Sequence, residues 1–286
     1  MPPTPSLSDD QAEARAFAES VAGVLDRHAP ADAAWAPGDA PPPASPDLTA
    51  RLDDLGWGAL PQQEGLAACA GLGAVELGRR LAPLHHVDRL LGASPIAGNL
   101  VRSLGAERMA LTREHEAVVR RPVVRSEPVA SADGLDVHRV LELDGAIEIT
   151  AHAWGIATGA WTAASVGYLA GLGQGALDLT LGYVRERRAF GRTLAALAPV
   201  QQLLADAATA VRGVRLLAGE HPDADALAYA GPAIAEACAS CQQATGAIGF
   251  TLEYPLHRYT QRARALATWN DALLACLISP SPATPA

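Results

Sequence analysis

The sequence predicts a mainly α-helical protein with an N-terminal helical domain, a short β-rich middle region and a C-terminal four-helix bundle. Its 286 residues are rich in alanine and leucine, and 5% are aromatic, which favours helix over sheet. Four long helical patterns with short connections fill the second half of the chain. Between about 109 and 153, short valine- and isoleucine-rich runs separated by turn residues replace the helical pattern.

Residues 1–106 are predicted to form the N-terminal helical domain. The first helix has the clearest start, because Ser8 begins a capping-box pattern with Gln11 at the third position. Pro46, at a first helical position, begins the second helix after a loop at 36–46 that is rich in proline, glycine and alanine. The helical patterns of this domain cover, in order, residues 8–28, 46–56, 66–82 and, as one or two helices, 87–104.

Residues 107–153 are predicted to form the β-rich middle region, and residues 154–279 the four-helix bundle. Turn signals such as Asp144-Gly145 divide the middle region into short strands. The tail at 280–286 is rich in proline and serine and is expected to be disordered. The four bundle helices are predicted at 158–188, 199–220, 223–245 and 254–278, and the pattern leaves open whether the last is one helix or two.

Composition and charge argue against several classes of protein. The net charge of −9 indicates no nucleic-acid footprint, and no run of 18 apolar residues predicts a membrane span. The first six residues lack the basic start and apolar stretch of a signal peptide, so a cytoplasmic location is expected. Cys238 and Cys241 have a C-x-x-C spacing without a second pair nearby, which favours buried, reduced thiols. No metal-binding histidine pattern occurs, so no metal is expected.

Two segments carry most of the chemical information, Arg185–Arg192 and Gln243–Phe250. Each lies where one long helical pattern breaks or passes into the next. An arginine in one segment and a glutamine in the other can both donate hydrogen bonds to phosphate oxygens. Each segment also contains an aromatic ring and glycine, which lets a ligand or another backbone approach closely. The pattern indicates a phosphate-rich ligand, and the alternative is a surface arginine with a buried amide.

The C-terminal half of the chain resembles the acyl-CoA dehydrogenase family. The resemblance covers residues 155–270 well and residues 7–105 loosely. Two departures are Ala198, where the family commonly has glutamine, and Ala247, where it has a second glycine. The stretches that carry the resemblance are Ala176–Tyr183 with Arg187–Gly191 (similar to "ALD…Y…RxxFG"), Pro199–Asp206 (similar to "QxxQxxLAD") and Gln243–Arg258 (similar to "QxxGGxGyxxEyplxR").

The resemblance implies flavin adenine dinucleotide (FAD) as cofactor. In this family FAD lies at a subunit interface, where the arginine and glutamine stretches reach a dinucleotide that the neighbouring subunit mainly holds. Carried over to this chain, the resemblance implies that Arg187, Phe190, Gln243 and Gly246 contact FAD shared with a partner subunit. A diphosphate is a chemically suitable ligand for a planar cation and a carboxamide donor.

The resemblance also implies that a catalytic base is missing. The family removes the α-proton of an acyl thioester with a glutamate, while hydride passes from the β-carbon to the flavin. The residue aligned with this base is Asn270, and at the alternative position on the first bundle helix it is Trp161. Asp271 could substitute only with a shift of register. Glu253 and Asp178 are expected in salt bridges or helix caps, so no catalytic residue is assigned.

The middle region is about half as long as that of family members and is expected to be too short to close a β-barrel. The chain therefore resembles the eroded subunit of heteromeric, steroid-CoA-type acyl-CoA dehydrogenases. The resemblance implies an α2β2 assembly with a second acyl-CoA dehydrogenase-like subunit, and a bulky or steroid-like acyl thioester as substrate. In that assembly this subunit would complete the flavin site in trans.

Two alternatives remain open. The fold could serve as a non-redox cyclase, isomerase or thioester-binding module, with Trp154, Trp161 and Trp269 lining a cavity, although core packing is the simpler role for these rings. The chain could also be a structural partner without a site of its own.

Overall fold

The computed structural model describes residues 9–28, 46–105, 107–114, 117–131 and 135–277. Ser8, most of the loop predicted at 36–46 and the tail at 280–286 lie outside these residues. The N-terminal helical segments are α1 (Asp9–His28), α2 (Pro46–Asp54), a 3₁₀ helix at Trp57–Gln62, α3 (Ala67–Arg79), α4 (His85–Asp88) and a 3₁₀ helix at Arg89–Leu91.

The prediction of helix at 87–104 is wrong beyond the short 3₁₀ helix. Gly92 has a φ of 73°, a left-handed conformation that ends this helix. Pro95 then disfavours a helical interior because it lacks a backbone N–H. Strands β1 (Ser94–Ala97) and β2 (Leu100–Val101) follow instead and pair as a hairpin around Gly98, whose φ is 64°. The proline and the two glycines were the sequence signals for this outcome.

The next strands are β3 (Met109–Glu114), β4 (Ala117–Pro128), β5 (His138–Leu143) and β6 (Ile147–Glu148). Five strands form a ring of pairings, in which β1 pairs with β3 and β2, β2 with β5, β5 with β4, and β4 with β3. Strand β6 pairs with β4. The strands at 107–153 do not close this ring alone, because β1 and β2 come from the segment predicted to be helical.

The four-helix bundle is confirmed. Thr150 caps the first helix, since its side chain accepts a hydrogen bond from the backbone N–H of Ala153 at 3.3 Å, and this helix therefore begins earlier than predicted. The last helix is continuous. The bundle consists of α5 (Ala151–Glu186), α6 (Ala198–Ala218), α7 (Ala224–Thr245) and α8 (Leu256–Leu277), with a hairpin of β7 (Arg188–Ala189) and β8 (Arg192–Thr193) and 3₁₀ helices at Leu194–Ala196 and Gly246–Phe250.

Helices α3 and α5 join the N-terminal domain to the bundle through backbone contacts at glycine. A Cβ atom on Gly167 would collide with the carbonyl oxygen of Gly71, and one on Gly171 would collide with that of Val75. The same buried cluster of apolar side chains runs from Trp57 in the N-terminal domain through both helices into the bundle. The two regions therefore share one core, and their spacing depends on the missing Cβ atoms. Among the described residues, no helix is long and apolar enough to cross a membrane.

We expect Gly171→Ala to lower the free energy of unfolding by about 1–3 kcal/mol or more, because a Cβ there would lie 2.6 Å from the backbone nitrogen of Arg79. Gly155→Ala on the same helix is the matched control, since nothing lies within 4 Å of its Cβ position. It should be neutral or stabilising by up to about 1 kcal/mol. Urea denaturation measures both variants, and equal effects would contradict the packing role of Gly171.

Candidate functional site

The four residues predicted to contact FAD lie at one end of the bundle. Val184 near the end of α5, Val200 at the start of α6 and Ala244 near the end of α7 pack in one buried cluster. The rings of Tyr183 and Tyr254 meet close by, with their centroids 5.6 Å apart. We call this region the bundle end. It comprises the C-terminal ends of α5 and α7, the hairpin at 188–193 and the 3₁₀ helix at 246–250.

Phe190 is presented at the tip of the hairpin. It is 88% exposed and has a φ of 51°, and the next residue, Gly191, has a φ of 77°. Positive φ at both central residues is typical of a tight hairpin turn, but a bulky aromatic residue rarely adopts it. The turn therefore holds an apolar ring out in solvent at a conformational cost. Phe250, also at the bundle end, is 65% exposed.

The polar groups of the bundle end also face outward. Arg187 and Gln243 are exposed, and neither side chain bonds to another residue in the described part of the chain. Gly246 has φ 71° and ψ −148°, a backbone conformation that is essentially restricted to glycine. The structure thus brings Arg187, Phe190, Gln243 and Gly246 to the same end, where their side chains or backbone are open to a ligand or partner.

The two positions aligned with the family's base meet elsewhere, in a buried polar cluster. Arg102 donates from Nη1 to the Asn270 side-chain oxygen at 2.6 Å. Trp161 donates from Nε1 to Asp88 Oδ1 at 3.0 Å. Arg102 also forms a two-pronged ion pair with Asp88, at 3.0 Å from Nε and 2.6 Å from Nη2. We call Asp88, Arg102, Ser103, Trp161 and Asn270 the Asp88 cluster.

Asp88 cannot act as a free general base in this arrangement. Its carboxylate accepts four hydrogen bonds, two from Arg102, one from Trp161 and one from the Ser103 hydroxyl at 2.7 Å. The side chains of Asp88 and Arg102 are each 1% exposed. A base must reach the proton that it removes, and here the acceptor positions are occupied and closed to solvent. The centre of this chain is therefore filled by its own ion pair.

Asp271 lies outside the Asp88 cluster. Its side chain is exposed, whereas that of the neighbouring Asn270 is buried in the cluster, because successive residues on a helix point in different directions. The side chain of Asp271 therefore does not share the position of the Asn270 side chain. Sequence reasoning missed Asp88 and Arg102, which lay in the segment predicted to be helical. No local pattern marked them as a pair.

Several other predicted roles can be placed. Asp178 forms a salt bridge with Arg79 at 2.7 Å, as expected, whereas Glu253 is exposed and forms no ion pair with the described residues. Cys238 and Cys241 are buried free thiols, and burial raises the pKa of Cys241 to about 11. Both are thus protonated and unreactive near neutral pH. No group of side chains in the described ranges has the composition of a metal site.

The three tryptophans pack against other side chains of the protein. Trp161 is buried within the Asp88 cluster, while Trp154 and Trp269 are partly buried and pack against the main core. A surface cleft of about 390 Å³ lies between the chain near Gly65 and the first turns of α5, reaching Ala160. None of the five residues of the Asp88 cluster lines it. The cleft therefore does not open into the filled centre.

Comparison with known proteins relates the sequence to one family and the fold to solved structures. Residues 160–270 match the family described as acyl-CoA dehydrogenase, C-terminal domain. The matched segment covers less than half of the chain, and it is similar to the C-terminal domain of acyl-CoA dehydrogenases. Probable acyl-CoA dehydrogenase FadE25 of Mycobacterium tuberculosis (strain ATCC 25618 / H37Rv) is 31% identical over a segment covering 33% of this chain and 28% of that protein. The sequence match thus spans little more than a quarter of that relative.

The acyl-CoA dehydrogenase-like fold extends over nearly the whole chain. A variant of the Tcur3481–Tcur3483 steroid ACAD has a TM-score of 0.69 and 18% identity, covering 94% of this chain and 98% of that chain. The ChsE4–ChsE5 complex from Mycobacterium tuberculosis has a TM-score of 0.67 and 18% identity, covering 94% of this chain and 95% of that chain. At this identity the likeness establishes the fold.

Homologues in this family bind FAD. One protein of similar fold, a glutaryl-CoA dehydrogenase from Mycobacterium smegmatis, is solved in complex with FADH2. It has a TM-score of 0.62 and 14% identity, and the match covers 94% of this chain and 93% of that chain.

We expect Arg102→Met to destabilise the fold by about 3–5 kcal/mol, because it leaves the Asp88 carboxylate buried without its counter-ion. The double variant Asp88→Asn, Arg102→Met carries no buried charge and should recover part of this loss. Arg139→Gln is the control, since its bridge to Glu127 is nearly half exposed and should change stability by about 1 kcal/mol or less. Urea denaturation of all three variants measures this. A double variant less stable than Arg102→Met would contradict it.

The neighbouring histidines make stability depend on pH. The rings of His85 and His86 lie 3.8 Å apart, and the His86 ring nitrogens are buried without a partner. Burial, then the charge of Arg89, lowers the pKa of His85 from 6.5 to about 4. Burial, then the charge of His85, lowers the pKa of His86 well below 6.5. Below about pH 6.5 the two histidines bind protons in the unfolded chain more readily than in the folded protein, so protonation favours unfolding.

We expect stability to be complete above about pH 6.5 and to fall as the pH drops toward 4. Urea midpoints measured across this range should show the loss. In the double variant His85→Asn, His86→Leu the pH dependence should be shallower, because neither position can then bind a proton. An unchanged slope in that variant would assign the loss to other groups.

Proposed function

We propose that this chain is the non-catalytic subunit of a heteromeric, FAD-dependent acyl-CoA dehydrogenase. In this assembly a second acyl-CoA dehydrogenase-like subunit supplies the catalytic base and most of the flavin site. The chain described here completes that site from across the subunit interface. The reaction is the α,β-desaturation of an acyl thioester, and a bulky or steroid-like acyl group and an α2β2 stoichiometry are part of the proposal.

The filled centre carries the proposal. Both positions that hold a base in the family belong to a buried cluster in which Asp88 and Arg102 satisfy each other. Asn270 is neutral and uses its oxygen to accept from Arg102, so it cannot take a proton from a substrate. A chain with this centre has no group placed for α-proton removal. Its contribution to the reaction must then come from another part of its surface.

The bundle end is the surface suited to that contribution. The guanidinium of Arg187 and the amide of Gln243 are exposed donors without partners among the described residues, and they fit the oxygens of a diphosphate. Phe190 and Phe250 offer exposed rings that would lose contact with water on docking. When bound, FAD would accept the hydride from the acyl β-carbon. The role of this chain would be to bind and orient its dinucleotide part.

The likeness to heteromeric assemblies supports a partner subunit. The ChsE4–ChsE5 structure is a complex of two different proteins, and this chain matches its fold over most of its length. A non-redox catalyst is less well supported, because Trp161 is buried in the Asp88 cluster and Trp154 and Trp269 pack against the main core. A purely structural partner shares the filled centre but does not require the exposed arginine and amide, so flavin retention separates that role from the proposed one.

We expect flavin absorbance only when the chain is purified together with its dehydrogenase-like partner, and none when it is purified alone. In that complex, the double variant Arg187→Ala, Gln243→Ala should lower flavin occupancy at least about tenfold at limiting FAD, since two hydrogen-bonded phosphate contacts are lost. The measurement is the visible spectrum per mole of complex. Arg212→Ala, an exposed arginine in the second half of α6, is the control and should retain flavin.

Full flavin occupancy in the double variant would favour the purely structural role. A colourless homo-oligomer that does not associate with any dehydrogenase-like chain would overturn the proposal.

A further inference from the structure

Arg120 occupies an unusual place at the junction of the sheet and the N-terminal domain. It lies on β4, opposite Leu111 of β3 on one side and Ile147 of β6 on the other. Leu111 is fully buried in the main core, while Ile147 is half exposed. The arginine is therefore set on the boundary between an apolar interior and solvent.

The guanidinium of Arg120 has no partner within the described parts of the chain. Its Nε is buried without a hydrogen bond, and the side chain forms no ion pair with a described residue. The adjacent Arg121 is well satisfied, since it donates to the Gly145 carbonyl at 2.7 Å and to Glu114 at 3.0 Å. Acceptors are thus available nearby, but they serve the other face of the hairpin. A partly buried arginine whose Nε has no acceptor is a group that needs a physical explanation.

The backbone at Gly92 leaves room for this guanidinium. A Cβ atom at that position would lie 3.0 Å from Arg120 Nη1, so the arginine rests closely over the turn that ends the 3₁₀ helix. Gly92 has a φ of 73°, which also favours glycine there. The sheet and this turn therefore hold the guanidinium from two sides. Its position is fixed more tightly than that of a solvated surface arginine.

The charge of the surroundings favours an anion. Arg113 lies on the same face of the β3–β4 hairpin, because its partner Val118 is two residues from Arg120. Glu114 belongs to the opposite face, where it pairs with Arg121. Two positive charges on one face raise the local potential, although the chain as a whole has a net charge of −9.

We propose that Arg120, seated against Gly92, is the anchor of an oxyanion site that takes a phosphate group. A planar guanidinium offers two parallel donors that match phosphate oxygens. This site lies on the sheet and not at the bundle end. It does not depend on the proposed subunit role, so either proposal can fail without the other.

The test is isothermal titration calorimetry of the full chain with inorganic phosphate. We expect saturable binding with a dissociation constant of about 1 mM or tighter. Arg120→Gln should weaken it at least about tenfold, and Arg120→Lys should weaken it less, because the charge is kept but the fork is lost. Arg125→Gln is the matched control, since it removes the same charge from the same strand at an exposed position and should bind as the parent chain does.

Absence of binding by the parent chain at about 10 mM phosphate would overturn the proposed site. Equal weakening of phosphate binding in Arg120→Gln and Arg125→Gln would also overturn it, because it would indicate a general electrostatic effect. Circular dichroism checks that each variant is folded. If Arg120→Gln does not fold, the comparison of Arg120→Lys with the parent chain still tests the site.

ADP distinguishes the source of the phosphate. Binding of ADP at least about tenfold tighter than phosphate, and lost in Arg120→Gln, assigns a nucleotide ligand, whereas equal binding assigns free phosphate.

Discussion

The buried carboxylate of Asp88 is the group on which the packing of the N-terminal domain, the sheet and the bundle against one another depends. Removing an aspartate from water is costly, and the cost is met here by four hydrogen bonds from three other side chains. Trp161 on α5 donates a hydrogen bond to this carboxylate. Arg102, which directly follows β2, pairs with the carboxylate and also donates to Asn270 on α8. The N-terminal domain, the sheet and the bundle thus meet at one buried ion pair. None of them can shift far without leaving a charge unsatisfied.

This constraint separates two regions of different character. The Asp88 cluster is closed to solvent, and its side chains are hydrogen-bonded to one another. The bundle end has the opposite properties, with an exposed arginine and amide and the Phe190 ring held out at an unfavourable φ. The intervening part of α5 is buried and packs against α3 through glycine. Helix α5 therefore connects the buried Asp88 cluster to an end of the bundle that has exposed polar and aromatic side chains.

The fold was largely predictable where information is local. Helical periodicity and caps predicted the bundle, and the Arg187 and Gln243 segments predicted the residues that share its end. The strands at 94–101 were missed because Gly92 and Pro95 act on backbone conformation while the surrounding apolar pattern still reads as helix. The Asp88 cluster was unpredictable for another reason. Arg102 and Asn270 are 168 residues apart, and only the closed fold brings them together.

Asn270 and Asp88 both bond to the buried guanidinium of Arg102, one as a neutral acceptor and the other as the counter-ion. Arg102 already has a counter-ion, so a neutral oxygen at position 270 completes its hydrogen bonding without adding charge. A glutamate at the same place would bring a second negative charge beside one buried cation, and that excess charge would have to be neutralised or expelled. A catalytic carboxylate and the Asp88–Arg102 pair therefore compete for the same space. A neutral residue at position 270 is therefore the kind of residue that suits the buried Asp88–Arg102 pair.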